Sequence, residues 1–145
     1  MICTFFGHGD CYNLEMNTLK YFIEKLIDNG VDMFYVGNQG RFDYMVLACL
    51  SELKNTFPHI SFSVVLAYLP KQKNKYDSYY VYSIYPDGFE IIHPKFAIEK
   101  RNQWMIERAD CCLCYIDRTY GGAYKFACLA KRKGLNVINL GSIKI

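Results

Sequence analysis

The stretch that most constrains the fold is residues 101–126, RNQWMIERADCCLCYIDRTYGGAYKF. Residues 111–116 form an apolar run, and the polar loop 117–120 separates that run from Gly121 and Gly122, which open a helix. A strand followed by glycines and a helix N-terminus presents backbone N–H groups to an anion. A glycine pair also serves ordinary turns. The stretch therefore predicts a buried strand with a candidate anion site at its end.

The rest of the chain alternates short apolar runs with amphipathic segments. Apolar residues recur at three- and four-residue spacing in the segments between the runs, as Leu19, Phe22 and Ile23 show, and this spacing predicts helices. Strands are predicted over residues 2–6, 33–36, 60–69, 111–116 and 136–140. Short connections imply right-handed crossovers and a parallel sheet. The predicted fold class is α/β, with a Rossmann-like, doubly wound parallel sheet of about five strands in three α/β/α layers.

Residues 71–94 interrupt this alternation. The segment begins with the basic KQKNK and continues with five tyrosines, namely Tyr76, Tyr79, Tyr80, Tyr82 and Tyr85. An excursion of this length is usually a lid, a binding loop or a contact surface. Its tyrosines either stack on a base or ribose, or pack the excursion onto the body or onto a second subunit, and packing is the simpler interpretation. Because no internal repeat or linker is present, residues 1–145 are predicted to form a single domain.

Composition narrows the class of partner. With 52% hydrophobic and 21% charged residues, the chain can bury a core. Its net charge of +3 suits a phosphate-bearing ligand but is small for a nucleic-acid-binding surface, so nucleic acid is not the expected partner. No apolar run approaches the roughly 20 residues of a membrane span, and the N-terminus has no secretion signal. These features predict a cytoplasmic protein that does not enter the membrane.

The seven cysteines do not follow a metal-binding pattern. Cys111, Cys112 and Cys114 lie in one apolar run, and Cys49 and Cys128 lie on predicted helix faces beside other apolar residues. This placement is typical of reduced cysteines in a protein core. Paired C-x-x-C spacings are absent, so neither a metal site nor a cofactor is predicted.

Three glycine-bearing loops are predicted at one edge of the sheet. Doubly wound sheets bind ligands beyond the carboxyl ends of their strands, where the strand order reverses. If the first strand neighbours the fourth, the loops 7–10 (GHGD) and 117–122 (DRTYGG) meet at that point, with loop 37–43 (GNQGRFD) one strand away. The coincidence of three such loops is a stronger indication of a ligand site than any one of them.

Several segments resemble the SLOG superfamily, which groups DNA-processing protein A with the Lonely Guy phosphoribohydrolases. GNQGRFD at 37–43 looks like the glycine-rich turn and Asp of that superfamily. KRNQWMIERAD at 100–110 and YGGAYKF at 120–126 are further similarities. The opening TFFGHGD at 4–10 is similar to the start of small bacterial and phage members of unknown function.

The resemblance implies a nucleotide-type ligand at the strand ends. Gly37, Gly40 and Asp43 would shape one wall, Arg101 would approach a phosphate or ribose, and Asn102 would fix the local loop. Gly121 and Gly122 would present N–H groups to a phosphate. The full set of predicted ligand-binding residues is Gly7, His8, Gly37, Gln39, Gly40, Asp43, Arg101, Asn102, Asp117, Tyr120, Gly121, Gly122 and Ala123.

Each of these residue types also has an ordinary structural role. The glycines can simply form turns, Asp43 can cap the second helix, and Arg101 can form a salt bridge. His8 is placed equally well as a proton donor or acceptor and as a plain loop residue.

The chain departs from the Lonely Guy pattern at a catalytic position. Those enzymes carry a glycine-threonine pair followed three residues later by a glutamate that N-glycosidic cleavage requires. Tyr124 and Lys125 occupy the places of that pair here, and Cys128 occupies the place of the glutamate. A carboxylate normally stabilises the ribosyl cation or guides water. Of the other carboxylates, Asp10, Asp43 or Asp117 could substitute, but their spacing identifies no pair.

Three functional hypotheses follow. The favoured one is non-catalytic binding, for sensing or sequestering, of a nucleotide or nucleotide-derived molecule. The alternative is an N-glycosidic hydrolase or transferase that acts on a nucleotide, as the Lonely Guy enzymes do. Single-stranded DNA binding, by analogy with DNA-processing protein A, is the third. The tyrosine content is also compatible with a homodimer.

Overall fold

The structure, a computed structural model, describes residues 1–70 and 82–145. The KQKNK segment, Tyr76, Tyr79 and Tyr80 therefore lie outside the described residues. The strands are β1 Ile2–Gly7, β2 Met33–Val36, β3 Ser61–Val65, β4 Ser83–Ile84, β5 Cys111–Tyr115 and β6 Asn136–Asn139. The helices are α1 Met16–Asp28, α2 Arg41–Thr56, α3 Pro94–Arg108 and α4 Gly122–Arg132, with a short 3₁₀ helix at Phe89–Ile91.

The strands form one sheet in the order β4-β3-β2-β1-β5-β6, and every recorded pairing is parallel. The chain proceeds outward from β1 to β4 and then returns to the other side of β1 with β5, where Phe5 pairs with Leu113. The order reverses between β1 and β5, so their carboxyl ends border the crevice in which such sheets bind ligands. The predicted fold class and the predicted neighbourhood of these two strands are confirmed.

Helices cover both faces of the sheet. All five residues of β5 are buried, as expected for a central strand of a parallel sheet. On one face of β5, Leu113 packs with α1 and α2. On the other face, Cys112 and Cys114 pack with Met105 of α3 and Phe126 of α4. Because successive side chains of β5 point to opposite faces of the sheet, this strand contributes to both core layers. Within residues 1–70 and 82–145, no helix is long and apolar enough to span a bilayer.

The structure adds one strand to the predicted set. Ser83–Ile84 pairs with Val64 and Val65 at the sheet edge, inside the segment that was predicted to be an excursion. The third strand ends at Val65 rather than at residue 69, and the Leu66 N–H then donates to the Ile84 carbonyl. A two-residue strand is too short for apolar alternation to reveal it.

The two tyrosines of the excursion that the structure describes pack onto the body. The ring of Tyr82 lies 5.1 Å from that of Phe62 in β3, and Tyr85 packs against the main core cluster. For these two side chains the packing interpretation is confirmed. All seven cysteines are free thiols, and six of them are buried.

Candidate functional site

The three predicted loops lie together at the carboxyl edge of the sheet. The Arg41 N–H at the start of α2 donates to the Gly9 carbonyl at 3.2 Å, which joins the loops after β2 and β1. The His8 N–H donates to the Tyr115 carbonyl at 3.3 Å, which joins the loop after β1 to the end of β5. Gly40 has a φ of 99°, and a Cβ there would lie 2.8 Å from Gly9 Cα, so this loop contact requires glycine.

A cavity of about 150 Å³ lies between these loops and helices α3 and α4. It is lined by the predicted site residues Gly7, Gly37, Gln39, Asp43, Arg101, Asn102, Gly122 and Ala123, and by Phe5, Phe6, Ile98 and Met105. The last four were not predicted as site residues, because apolar side chains at a strand end or on a helix look like ordinary core. The predicted residues Gly40, His8, Asp117, Tyr120 and Gly121 do not line this cavity.

Arg101 is the cationic side chain of the cavity. It is only 2% exposed, its Nε donates to Asn102 Oδ1 at 2.8 Å, and its Nη1 donates to the Val65 carbonyl at 2.9 Å. Asn102 thus holds this side chain from within α3 instead of fixing a loop. No carboxylate of the described residues lies within 4.0 Å of the guanidinium, so no salt bridge of Arg101 is found among residues 1–70 and 82–145. Burial lowers the pKa of Arg101, and Asp43 opposes that shift.

Asp43 and Arg101 both lie next to Gly37. A Cβ on Gly37 would be 2.9 Å from both Arg101 Cζ and Asp43 Oδ2, so only glycine leaves room for the two charged groups. Asp43 Oδ2 accepts the Gln39 N–H at 2.8 Å, which ties the first turn of α2 to the loop before it. Burial raises the pKa of Asp43 to about 6, although the Gln39 N–H and Arg101 both favour its ionised form. The cavity therefore contains a buried cation and a carboxyl group that titrates near neutrality.

The start of α4 supplies backbone donors to the same cavity. Gly121 precedes the helix, and the first helical hydrogen bond runs from the Lys125 N–H to the Gly121 carbonyl at 3.1 Å. The N–H groups of Gly122, Ala123 and Tyr124 come before that bond, and none has an acceptor within residues 1–70 and 82–145. Free N–H groups and the helix dipole favour an anion at this point.

His8 and Asp117 belong to a separate polar cluster at the same edge. Arg118 Nε donates to Asp117 Oδ1 at 2.8 Å, and its terminal nitrogens contact both Asp10 oxygens at 3.0 and 3.2 Å. His8 Nε2 is buried and 3.5 Å from Asp117 Oδ1, without a hydrogen bond to any described residue. Burial, then Arg118, lowers the pKa of His8, so the ring is neutral at pH 7. Sequence reasoning missed Arg118, because no spacing shows that it would bridge two loops.

The position of the missing glutamate lies on α4. Cys128 is partly buried there, and a hydrogen bond with Cys128 raises the pKa of Tyr124. Tyr120 is 69% exposed in the loop before the helix. Neither Cys128 nor Tyr124 carries a carboxylate, so the chemistry that the Lonely Guy glutamate performs has no counterpart at this position.

A parallel sheet whose order reverses beside a glycine-opened helix, with a polar cavity at that edge, defines the Rossmann-like α/β class of ligand-binding folds. The sequence model of the YspA SLOG family matches residues 5–136. Because the match covers most of the chain, the protein belongs to the YspA SLOG family, which confirms the SLOG resemblance. A comparison with curated proteins finds no match. Family membership indicates a nucleotide-related function.

Proposed function

We propose that the protein binds a phosphate-bearing nucleotide or nucleotide derivative in this cavity without turning it over. The observation that carries the proposal is the shared cavity of Arg101 and the N–H groups of Gly122 and Ala123. A buried guanidinium that has no carboxylate of residues 1–70 and 82–145 within 4.0 Å is costly, and an anionic ligand offsets that cost. Helix N-terminal amides bind phosphate oxygens well. Two independent features thus favour an anion at one place.

The volume of the cavity limits which part of a ligand it takes. At about 150 Å³ it is smaller than the roughly 300–1,000 Å³ of common small-molecule sites. It is suited to a phosphate and the adjoining sugar rather than to a whole nucleotide. The remainder of the ligand must extend beyond it along the edge of the sheet.

Binding without turnover is favoured because of where the carboxylates lie. Cys128 stands in place of the Lonely Guy glutamate, and Asp10 and Asp117 are both engaged by Arg118. A carboxylate that is held by an arginine is a poor base, because its negative charge is already neutralised.

Asp43 is the observation that favours a second candidate, the N-glycosidic hydrolase. Its carboxyl group lines the cavity, and its pKa of about 6 suits proton transfer near neutral pH. Chromatography of nucleoside monophosphates after incubation with the protein separates the two candidates. Release of free base that the Asp43→Asn variant loses would establish hydrolysis, and intact nucleotide would support binding alone.

The binding proposal is tested at Gly122, the first residue of α4. Gly122→Pro removes one free N–H at the helix position that best tolerates proline, so folding should be unaffected. Gly122→Ala keeps the N–H and adds a Cβ that has no atom of residues 1–70 and 82–145 within 4 Å, so it is the matched control. The ligand panel comprises nucleoside monophosphates, cyclic nucleotides and ADP-ribose.

We expect at least one member of the panel to raise the melting temperature of the wild-type protein. Its affinity should fall about 10- to 100-fold in Gly122→Pro, because a hydrogen bond to a charged group is lost, and should persist in Gly122→Ala. The absence of any shift across the panel would refute the proposal. Equal affinity in both variants would show that the α4 amides do not hold the ligand.

A further inference from the structure

A second cavity of about 150 Å³ adjoins the first at the end of β3. It is lined by Asn38, Gln39, Leu66, Tyr68, Leu69 and Pro70. Gln39 lines both cavities, and the Tyr68 phenol is near enough to Arg101 to influence its pKa. The two cavities are therefore neighbouring parts of one cleft.

The second cavity has a wall suited to a flat ring. Tyr68 is 42% exposed, and its hydroxyl donates to the Pro94 carbonyl at 2.8 Å, so the ring is held in place while part of it faces solvent. Leu69 is 62% exposed beside it. A fixed aromatic ring with apolar neighbours favours stacking by a planar heterocycle.

The opposite wall offers polar groups that can read the edge of such a ring. Gln39 Nε2 donates to Asn38 Oδ1 at 3.2 Å, so the two side-chain amides contact each other. This contact leaves Asn38 Nδ2 as a donor and Gln39 Oε1 as an acceptor, with no hydrogen-bond partner within residues 1–70 and 82–145. Paired donors and acceptors on Asn and Gln are the groups that recognise nucleobase edges.

We propose that this second cavity holds the nucleobase of the ligand whose phosphate lies against Arg101 and α4, and that Asn38 and Gln39 select the base. The inference rests on the proposed function, and it narrows the ligand from any nucleotide or nucleotide derivative to one whose base Asn38 and Gln39 accept. Stacking on Tyr68 supplies affinity for any base, and the amide pair supplies the discrimination between bases.

Isothermal titration calorimetry with ribose 5-phosphate and the 5′-monophosphates of adenosine, inosine, cytidine and uridine tests the inference. The variants are Asn38→Ala, which removes part of the amide pair, and Tyr68→Leu, which removes the ring. Asn55→Ala, an exposed amide near the end of α2, is the control.

In the wild-type protein, at least one mononucleotide should bind about tenfold more tightly than ribose 5-phosphate. Asn38→Ala should reduce the discrimination between bases, and Tyr68→Leu should weaken every mononucleotide by about tenfold. Neither variant should change the affinity for ribose 5-phosphate, and Asn55→Ala should behave as wild type.

The two proposals fail in different ways. If ribose 5-phosphate and all mononucleotides bind the wild-type protein equally, the base cavity is refuted while the phosphate cavity stands. Unchanged discrimination in Asn38→Ala would refute selection by the amide pair. If none of these phosphates binds but another member of the ligand panel does, the base cavity is refuted; if no member of either set binds, both proposals are wrong.

Discussion

Replacement of the buried carboxylate Asp43 by asparagine should stabilise the protein at neutral pH. Asp43 is 8% exposed and its one recorded hydrogen bond is from the Gln39 N–H at 2.8 Å. Asparagine has nearly the same shape and can still accept that bond through its own carbonyl oxygen. The change therefore removes the buried negative charge while it retains the contact between α2 and the loop before it.

The magnitude follows from the pKa of Asp43, which rises from 3.8 to about 6 on folding. A native pKa above the unfolded value means that the native state binds more protons between these two values. Stability then falls as pH rises through that window, and the full cost is present above about pH 7. A shift of about two units corresponds to about 3 kcal/mol. For a chain of this size, that equals a rise of roughly 6–12 °C in melting temperature.

Urea unfolding of the wild-type and Asp43→Asn proteins, at steps from about pH 4 to about pH 7.5, measures the effect. The difference in unfolding free energy should be near zero at the acidic end and should grow to about 3 kcal/mol at the neutral end. The difference between the two proteins cancels the pH dependence contributed by groups such as Asp10 and Asp117, whose pKa values are lowered in both proteins. Asp28→Asn, an exposed carboxylate at the end of α1, is the control. A difference that does not vary with pH, or a less stable variant, would refute the reasoning.

Three further predictions concern packing, hydrogen bonding and charge. Gly7→Ala should destabilise the protein by about 3 kcal/mol, because the added Cβ would lie 2.2 Å from Phe42 Cγ. In a double-mutant cycle measured by urea unfolding, Phe42→Leu should recover part of that loss. Asn139→Ala should lower the free energy of unfolding by about 3 kcal/mol in the same assay, because Asn139 Oδ1 accepts the N–H groups of buried Ile116 at 2.8 Å and of Gly141 at 2.9 Å. Replacement of the exposed Asn136 by alanine should change it little. In an NMR titration the His8 ring should protonate at a pH below its ordinary pKa of 6.5, so the protein loses stability as the pH falls below that value. The Arg118→Gln variant should raise the pKa of His8, and the control variant Arg108→Gln should not.

The arrangement of elements was largely predictable because local patterns determine it. The apolar run that became β5 and the glycines that open α4 both lie where residues 101–126 indicated. Parallel order and right-handed crossovers then placed three loops at one edge. The strand β4 was not predictable, since two residues contain no period.

The contents of the cavity were predictable only in part. The resemblance to the SLOG superfamily indicated Gly37, Asp43, Arg101 and Gly122, and all four line the cavity. The hydrogen-bond partners of those residues could not be predicted from local patterns. Arg101, for example, donates to the carbonyl of Val65, which lies 36 residues away in the sequence. The link made by Arg118 to Asp10 spans 108 residues and had no local signal either.

The sequence by itself determined most of the strands and the four α-helices, and hence which loops share an edge, because hydrophobic periodicity and chain connectivity act over a few residues at a time. Only the tertiary structure decided the electrostatics of the cavity. The pKa shifts of Asp43 and Arg101 depend on burial and on distances of a few ångströms between distant parts of the chain. Such distances are set when the helices pack on the sheet, so no local pattern encodes them.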